Sequence, residues 1–512
     1  MYLFFLLFLF ASTLSLFAQP PGAVPARPNI IYYAGGSCEF YDASNSKLLS
    51  VDQNEAVWSV SPAKAAWVVV TPANGGYYEF PNYSNNYIPS YEQSQYLLPF
   101  WKSDTIYDEL VLLDKVNAEA DLMYHPKSII SVKNFDGTVS FEQNKDYSIT
   151  NRTIKQVSGE ISKTVSIVPG KTGNGNSNGL MNTRHTSWTR VTYIADRTKD
   201  HIAIDIENKK SLLPKTMSKL TARQSITLQA VGMSITAGLN VSGFIGDDKN
   251  FPPAKPYMRG YVELFAEQMQ QQYGSIITSI NSACGGKTAG WLATYAKALV
   301  NRNMPDLIII DMGMNDIWGV TSPAQFKASI ESTISTIRKD VPNAEFILIG
   351  NMIPDVKGIG APANGATLMF GFLDMLKSLE GPGIAVLDMT TLSETIYQRK
   401  GAKHCIANSL HPNDYLARWY AQGLMALFGD GISVPKQPRT FYVNTKGDNS
   451  DGLSVEKAWT SLDKINSMTF TPGDTILFEG GAQFQGSIEL QQNDGNDPLK
   501  PCLLYTSPSP RD

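Results

Sequence analysis

Two hydrophobic rhythms divide the sequence. From about Arg27 to Leu213 the apolar positions come in short β-branched runs, such as Ala66-Trp67-Val68-Val69-Val70 and Ser128-Ile129-Ile130-Ser131-Val132. Phe135-Asp136-Gly137-Thr138-Val139 sets Asp-Gly between alternating residues, which predicts a tight hairpin. No long helical period appears, so residues 19–219 are expected to form an all-β domain, built as a sandwich.

After Lys219 the period lengthens. Five apolar strand candidates, 226–231, 275–281, 306–311, 345–350 and 384–388, alternate with helical segments. Ser322-Pro323 supplies an N-cap and a proline at the first helical position, and Phe326, Ile330, Ile334 and Ile337 then recur on one face. A last helix starts at Asp414 and stops before Gly429. Near-continuous apolar strands alternating with helices predict a three-layer α/β domain over 220–430, its parallel sheet covered on both faces.

Residues 431–439, with two prolines, read as a linker. The stretch FYVNTKGDNSDGLSVEKAWTSLDKIN and the following Pro472-Gly473-Asp474-Thr475 resemble the opening of right-handed parallel β-helix proteins of the pectate-lyase type. That resemblance implies a β-helix beginning in 440–501, cut short because a solenoid needs about three coils to bury its apolar faces. The last residues, 502–512 (CLLYTSPSPRD), back-translate into a string that looks like a transposon adapter used to prepare sequencing libraries. They are set aside from fold reasoning, and the natural chain is expected to continue past Pro501.

At the other end, Met1 to Phe17 is almost wholly apolar and is followed after Ala18 by Gln19-Pro20-Pro21-Gly22. That predicts a signal peptide over 1–18, with a membrane anchor as the rival reading, and an exported protein, periplasmic or extracellular, with no further membrane segment. The formal net charge of -4 and the lack of a basic, aromatic-interleaved cluster exclude nucleic acid as an expected partner. No cysteine spacing suits a metal, and no cofactor motif is present, so none is expected. Export makes a disulfide chemically possible, and Cys284 with Cys405 is the pair considered, both falling in loops next to candidate site residues. His125 and His185 are lone histidines in the β-rich region and read as structural or exposed.

Four short blocks carry candidate chemistry. The first strand runs into Gly232-Met233-Ser234-Ile235-Thr236-Ala237-Gly238, the second into Gly285-Gly286-Lys287-Thr288, and the third into Gly313-Met314-Asn315-Asp316. Asn408-Ser409-Leu410-His411-Pro412 precedes the last helix. In this order, each after the appropriate strand, the blocks resemble those of the SGNH (GDSL-type) hydrolase superfamily over about 226–428. The resemblance implies that Ser234 is the nucleophile and His411 its general base. It also implies an oxyanion hole formed by the N–H groups of Ser234 and Gly286 and the side chain of Asn315. The chemistry is coherent, since a serine hydroxyl needs an adjacent base and the oxyanion needs fixed donors. His404 is the rival base, lacking the following proline and helix start.

Two positions depart from the family pattern. Met233 stands where the usual Gly-Asp-Ser has its Asp, and Asn408 stands where the acid three residues before the histidine is usual. Asn408 can orient the imidazole through its side-chain oxygen but brings no charge, so the expectation is a Ser234–His411 dyad oriented by Asn408 or by a backbone carbonyl. The run HPNDYLARWYAQ and the segment SIISVKNFDGTVSFEQNKDYSI resemble exported bacterial SGNH proteins with an N-terminal β-sandwich. That likeness implies an esterase acting on acylated plant or algal polysaccharide. A lipid acylhydrolase or thioesterase, and a non-catalytic polysaccharide-binding protein with a decayed site, remain the alternatives.

Overall fold

The structure is a computed structural model. It describes the strands between residues 24 and 81, and residues 89–429, 439–488 and 503–507 apart from short internal stretches, the longest being 169–181, 184–187, 245–252 and 356–361. The apolar run 1–18, His185, Ser409 and residues 431–438 lie outside the described residues. The chain divides into two compact units, Met1–Ser84 and Asn85–Asp512.

In the first unit the β-branched run centred on Val69 lies in the strand Trp67–Pro72, which pairs antiparallel with Gly36–Tyr41. That sheet also holds Val24–Pro25 and Lys47–Asp52, and a second antiparallel sheet joins Val57–Val60, Ile30–Ala34 and Tyr78–Pro81. The second unit opens with another β-rich region. There Thr105–Val111, Thr189–Ala195, Pro126–Asn134 and Ser140–Phe141 lie side by side, all antiparallel. Asp136-Gly137 turns the last hairpin, with Gly137 at φ 79°, a left-handed value that costs glycine little. Residues 19–219, expected as one domain, are thus shared between the two units.

From Ile226 onward strands and helices alternate: β1 Ile226–Gly232, α1 Tyr261–Tyr273, β2 Ile277–Asn281, α2 Ala289–Val300, β3 Leu307–Met312, α3 Pro323–Asp340, β4 Glu345–Gly350, α4 Gly365–Lys377, β5 Ile384–Asp388, α5 Met389–Lys400 and α6 Asp414–Ala426. The sheet is wholly parallel, in the order β2-β1-β3-β4-β5. Every residue of β3 and β4 is buried, as a sheet covered on both faces requires. Ser322 begins α3 with a reciprocal capping box to Gln325, so the sequence-level start signal operates as read. The order reverses between β1 and β3. In open α/β sheets the crevice beyond the strand ends at such a switch is where ligands bind.

The β-rich region after Asn85 packs on α5 and α6, which explains why every residue of α6 from Asp414 to Met425 is buried. Arg418 donates to the carbonyls of Tyr96 and Tyr107 at 3.0 and 2.6 Å, and its guanidinium lies over the rings of Tyr96 and Phe100. Gln422 accepts from the Phe100 N–H and donates to the Tyr96 carbonyl. Lys400, at the end of α5, pairs with Glu109 of the antiparallel sheet, and both side chains are fully buried. Glu109 also accepts from Tyr193 Oη and from the Met123 N–H.

At the C-terminal end Thr440–Val443, Thr475–Glu479 and Leu503–Ser507 pair in parallel and in register. A separate core of Phe441, Val443, Trp459, Leu462, Ile465, Met468, Phe470 and Ile476 lies behind them. The third of these strands falls in the segment set aside as adapter-like. Among the described residues no helix is long and apolar enough to cross a membrane.

The buried Lys400–Glu109 pair yields a stability test. Glu109→Gln leaves a buried ammonium without its counter-charge and should cost about 3–5 kcal/mol in denaturant unfolding. Adding Lys400→Met should recover part of that loss. A Glu109→Gln protein within about 0.5 kcal/mol of the original would mean that the pair does not hold the two layers together.

Candidate active site

β1 ends at Gly232, where an added Cβ would lie 2.0 Å from Thr236 Oγ1 and 2.7 Å from the Asp311 carbonyl, so only glycine fits. The chain then turns tightly, with Ala237 N–H bonded to Met233 O and Leu239 N–H to Ser234 O. Met233 and Thr236 are buried within this turn, while Ser234 is half-buried. Thr236 Oγ1 accepts from the Met233 N–H at 3.1 Å and donates to Asp311 Oδ2 at 2.8 Å. The serine therefore stands on a turn clamped from below by a carboxylate at the end of β3.

His411 lies between a short strand, Ile406–Asn408, and the start of α6. Its Nε2 is 2.7 Å from Ser234 Oγ, and its Nδ1 is 3.0 Å from Asn408 Oδ1. The same Asn408 oxygen accepts from the backbone N–H groups of Leu410 and His411, both at 3.0 Å. Backbone N–H groups can only donate, so the atom facing them is the amide oxygen. It follows that His411 carries its proton on Nδ1 and offers an Nε2 lone pair to the Ser234 hydroxyl. Burial lowers the imidazole from the usual 6.5 to about 4.

The two other loops converge on the serine. Gly285 and Gly286 are exposed, and a Cβ built on Gly285 would touch the Ser234 Cβ at 3.7 Å. Gly286 has φ 74° and open space where its side chain would be. Asn315, half-buried after β3, donates through Nδ2 to the Lys287 carbonyl at 2.9 Å, which ties it to the Gly286 loop. One amide hydrogen of Asn315 is used there, and the second is available to a ligand.

Three buried carboxylates brace these loops, and sequence reasoning assigned a role to none of them. Asp311 accepts from Thr236, Tyr261 Oη and Asn351 Nδ2. Asp316 accepts from the Ala289 N–H at the start of α2, joining the Asn315 turn to the helix behind Gly286. Asp414 accepts from the N–H and Oγ of Ser242, joining the first turn of α6 to the loop that follows Ser234. Burial pushes all three carboxyls up to about 6 against the pull of these donors. The signal for Asp311 was present in the sequence, as an acid directly after the apolar run 307–310.

Other candidates fall elsewhere. His404 is buried 292 positions along the chain from its partner, accepting the Leu112 N–H through Nδ1 at 2.9 Å, and so helps to join the layers. His125 binds Asp200. The pair considered for a disulfide does not form: Cys284 and Cys405 are free, buried thiols. Each faces a carbonyl of its own loop, Gly285 O for Cys284 and Gly401 O for Cys405, and burial pushes both thiols up. Among the described residues no group of three His, Cys, Asp or Glu side chains could hold a metal ion.

Residues 230–419 match the model of the GDSL-like Lipase/Acylhydrolase family. No curated protein matches the chain. Among solved structures it is similar to a two-domain esterase active on acetylated mannans, at 19% identity over 44% of this chain and 55% of that one, with a TM-score of 0.34. It thus spans about half the length of that esterase. It is also similar to the lipase Lip_vut3 from a goat rumen metagenome, at 16% identity over 41% of this chain and 100% of that one, TM-score 0.33. A third likeness is to Axe2, an acetyl-xylooligosaccharide esterase of Geobacillus stearothermophilus, at 18% identity over 41% and 96% of the two chains, TM-score 0.33.

The folded pKa of His411, about 4, lies below the 6.5 of an exposed imidazole, so its contribution to stability is present above 6.5 and is lost as the pH falls through about 4. An NMR titration of the folded protein should find His411 neutral, with its proton on Nδ1, throughout the range from 5 to 8 that brackets about neutral pH. Titration near 6.5 would mean that the ring is solvated or charge-paired.

Proposed function

We propose that this protein, an ester-cleaving hydrolase by its GDSL-type acylhydrolase domain, is an exported esterase that removes acyl groups, acetyl foremost, from plant or algal polysaccharide. The observation that carries the chemistry is the 2.7 Å contact between Ser234 Oγ and His411 Nε2. Ser234 Oγ attacks the ester carbonyl carbon as His411 Nε2 takes its proton. The oxyanion that forms would be met by the N–H groups of Ser234 and Gly286 and by the second amide hydrogen of Asn315. The tetrahedral intermediate collapses, the C–O bond to the sugar breaks, and the imidazolium returns its proton to the departing hydroxyl. Water then attacks the acyl-enzyme with His411 again as base, releasing the carboxylic acid and the serine.

The substrate class rests on what surrounds this chemistry. Trp318, three residues after Asn315, is 42% exposed and offers a flat, amphipathic face of the kind that lies against sugar rings. The parallel strands at 440–443 and 475–479 favour the reading of a β-helix start, a fold that suits long polysaccharide chains. The apolar run 1–18 favours export. An intact hydrogen-bonded chain of serine, histidine and amide argues against a decayed, purely binding site.

Acetate release from acetylated xylans and pectins is the test. Ser234→Ala should abolish it, a loss on the order of 10⁶ in kcat, as for nucleophiles that act as a unit with their base. Asn408→Ala removes an orienting hydrogen bond and no charge, so it should cost roughly tenfold. The acid limb of kcat/KM should fall well below 6.5, following a base lowered to about 4. A wild-type protein inert on every ester would sink the proposal, and activity confined to long-chain lipid esters would redirect it to the lipid alternative.

A further inference from the structure

An amide in place of the acid brings a hazard that a carboxylate does not. Both carboxylate oxygens accept, whereas an asparagine that rotates by half a turn about its last bond presents NH₂ to the imidazole. That would favour the tautomer with its proton on Nε2, leaving no lone pair for the Ser234 hydroxyl. In serine proteases the corresponding acid-to-amide change keeps the geometry and costs about 10⁴ in kcat for this reason. The chain must therefore hold the Asn408 amide one way round.

Two sets of contacts do so. On the oxygen side, Leu410 N–H and His411 N–H both point at Oδ1. On the nitrogen side, Asn408 Nδ2 donates to Asn240 Oδ1 at 3.2 Å. Asn240 lies six residues after Ser234, is 1% exposed, and has φ 72°, a left-handed conformation that asparagine tolerates better than most residues. The loop that bears it is held by Val241 N–H to Gly238 O and by Ser242 to the Asp414 carboxylate at the start of α6. The acceptor is thus fixed to the same two elements that carry Ser234 and His411.

We propose that Asn240 is a positioning residue, whose side-chain oxygen locks the Asn408 amide and through it the reactive tautomer of His411. The relay runs Asn240 Oδ1, Asn408 amide, His411 imidazole, Ser234 hydroxyl, and every link is a hydrogen bond of 3.2 Å or less. It substitutes geometry for the charge that a triad acid supplies. The inference rests on reading Ser234 and His411 as nucleophile and base.

The test is a double-mutant cycle with a tautomer readout. Asn240→Gly removes the acceptor and keeps the left-handed backbone unstrained. Nitrogen NMR of His411 should then show a new population protonated on Nε2, and kcat should fall roughly tenfold, the value of one orienting hydrogen bond. Asn240→Asp still accepts from Nδ2 and should restore the Nδ1–H tautomer. In the Asn408→Asp background the group beside His411 accepts either way round, so Asn240→Gly should leave the tautomer unchanged and cost much less than tenfold. An equal loss in both backgrounds, or a tautomer that does not respond to Asn240→Gly, would overturn the proposal. The readout is independent of substrate. Failure of the esterase reading would appear instead as a wild-type protein no more active on esters than Ser234→Ala.

Discussion

The carboxylate of Asp311 lies fully buried at the carboxyl end of the middle strand and accepts hydrogen bonds from three different elements. Thr236 belongs to the turn that bears Ser234, Tyr261 to α1, and Asn351 to the end of β4. A buried carboxyl is costly without donors, so wherever Asp311 sits these elements must close around it. Asn351 extends the network to Tyr420 of α6, whose hydroxyl also accepts the Met352 N–H. These bonds tie the Ser234 turn, α1 and the end of β4 together at the switch point of the sheet. Asp316 and Asp414 repeat the device for the Gly286 loop and for the helix that follows His411. The backbone N–H of Met233 is tied through Thr236 to the Asp311 carboxylate, whatever the side chain at 233.

The same economy governs the histidine. With no acid beside it, the imidazole loses the charge partner that would raise its affinity for a proton, and burial alone sets it low, at about 4. An imidazole that weak is neutral around pH 7, and as the proposed base it would take the serine proton with less driving force. Orientation has to supply what charge does not. Asn408 meets that need with one oxygen that accepts from three donors, the His411 ring among them. The β-rich layer holds the chain on either side of the His411 loop, since Lys400, His404 and Arg418 are bound to it.

Much of this was legible in the sequence. The five parallel strands announced themselves as apolar runs because both faces of the sheet are covered, and α3 was bounded by its own capping residues. Ser234, Gly286, Asn315 and His411 were named through the resemblance of four short blocks to SGNH hydrolases, and the structure sets each block after a strand or before a helix. What could not be read is long-range. Glu109 and Lys400 are 291 positions apart, and nothing local marks either as buried. The division after Ser84 likewise depends on which surface the second β-rich region covers, and strand patterns on either side of it look alike. Asn240 was invisible for another reason. It belongs to an irregular turn, and its importance follows from the identity of a residue 168 positions away.

An active-site-directed phosphofluoridate reports whether His411 activates Ser234. Its phosphorus takes the place of the ester carbonyl, and fluoride leaves as the serine bonds to it. The wild-type protein should rapidly form one phosphoryl adduct per chain, mapped by peptide mass to the segment containing Ser234, and His411→Ala should not. An adduct on a different residue, or one that forms on Ser234 equally fast without His411, would contradict it.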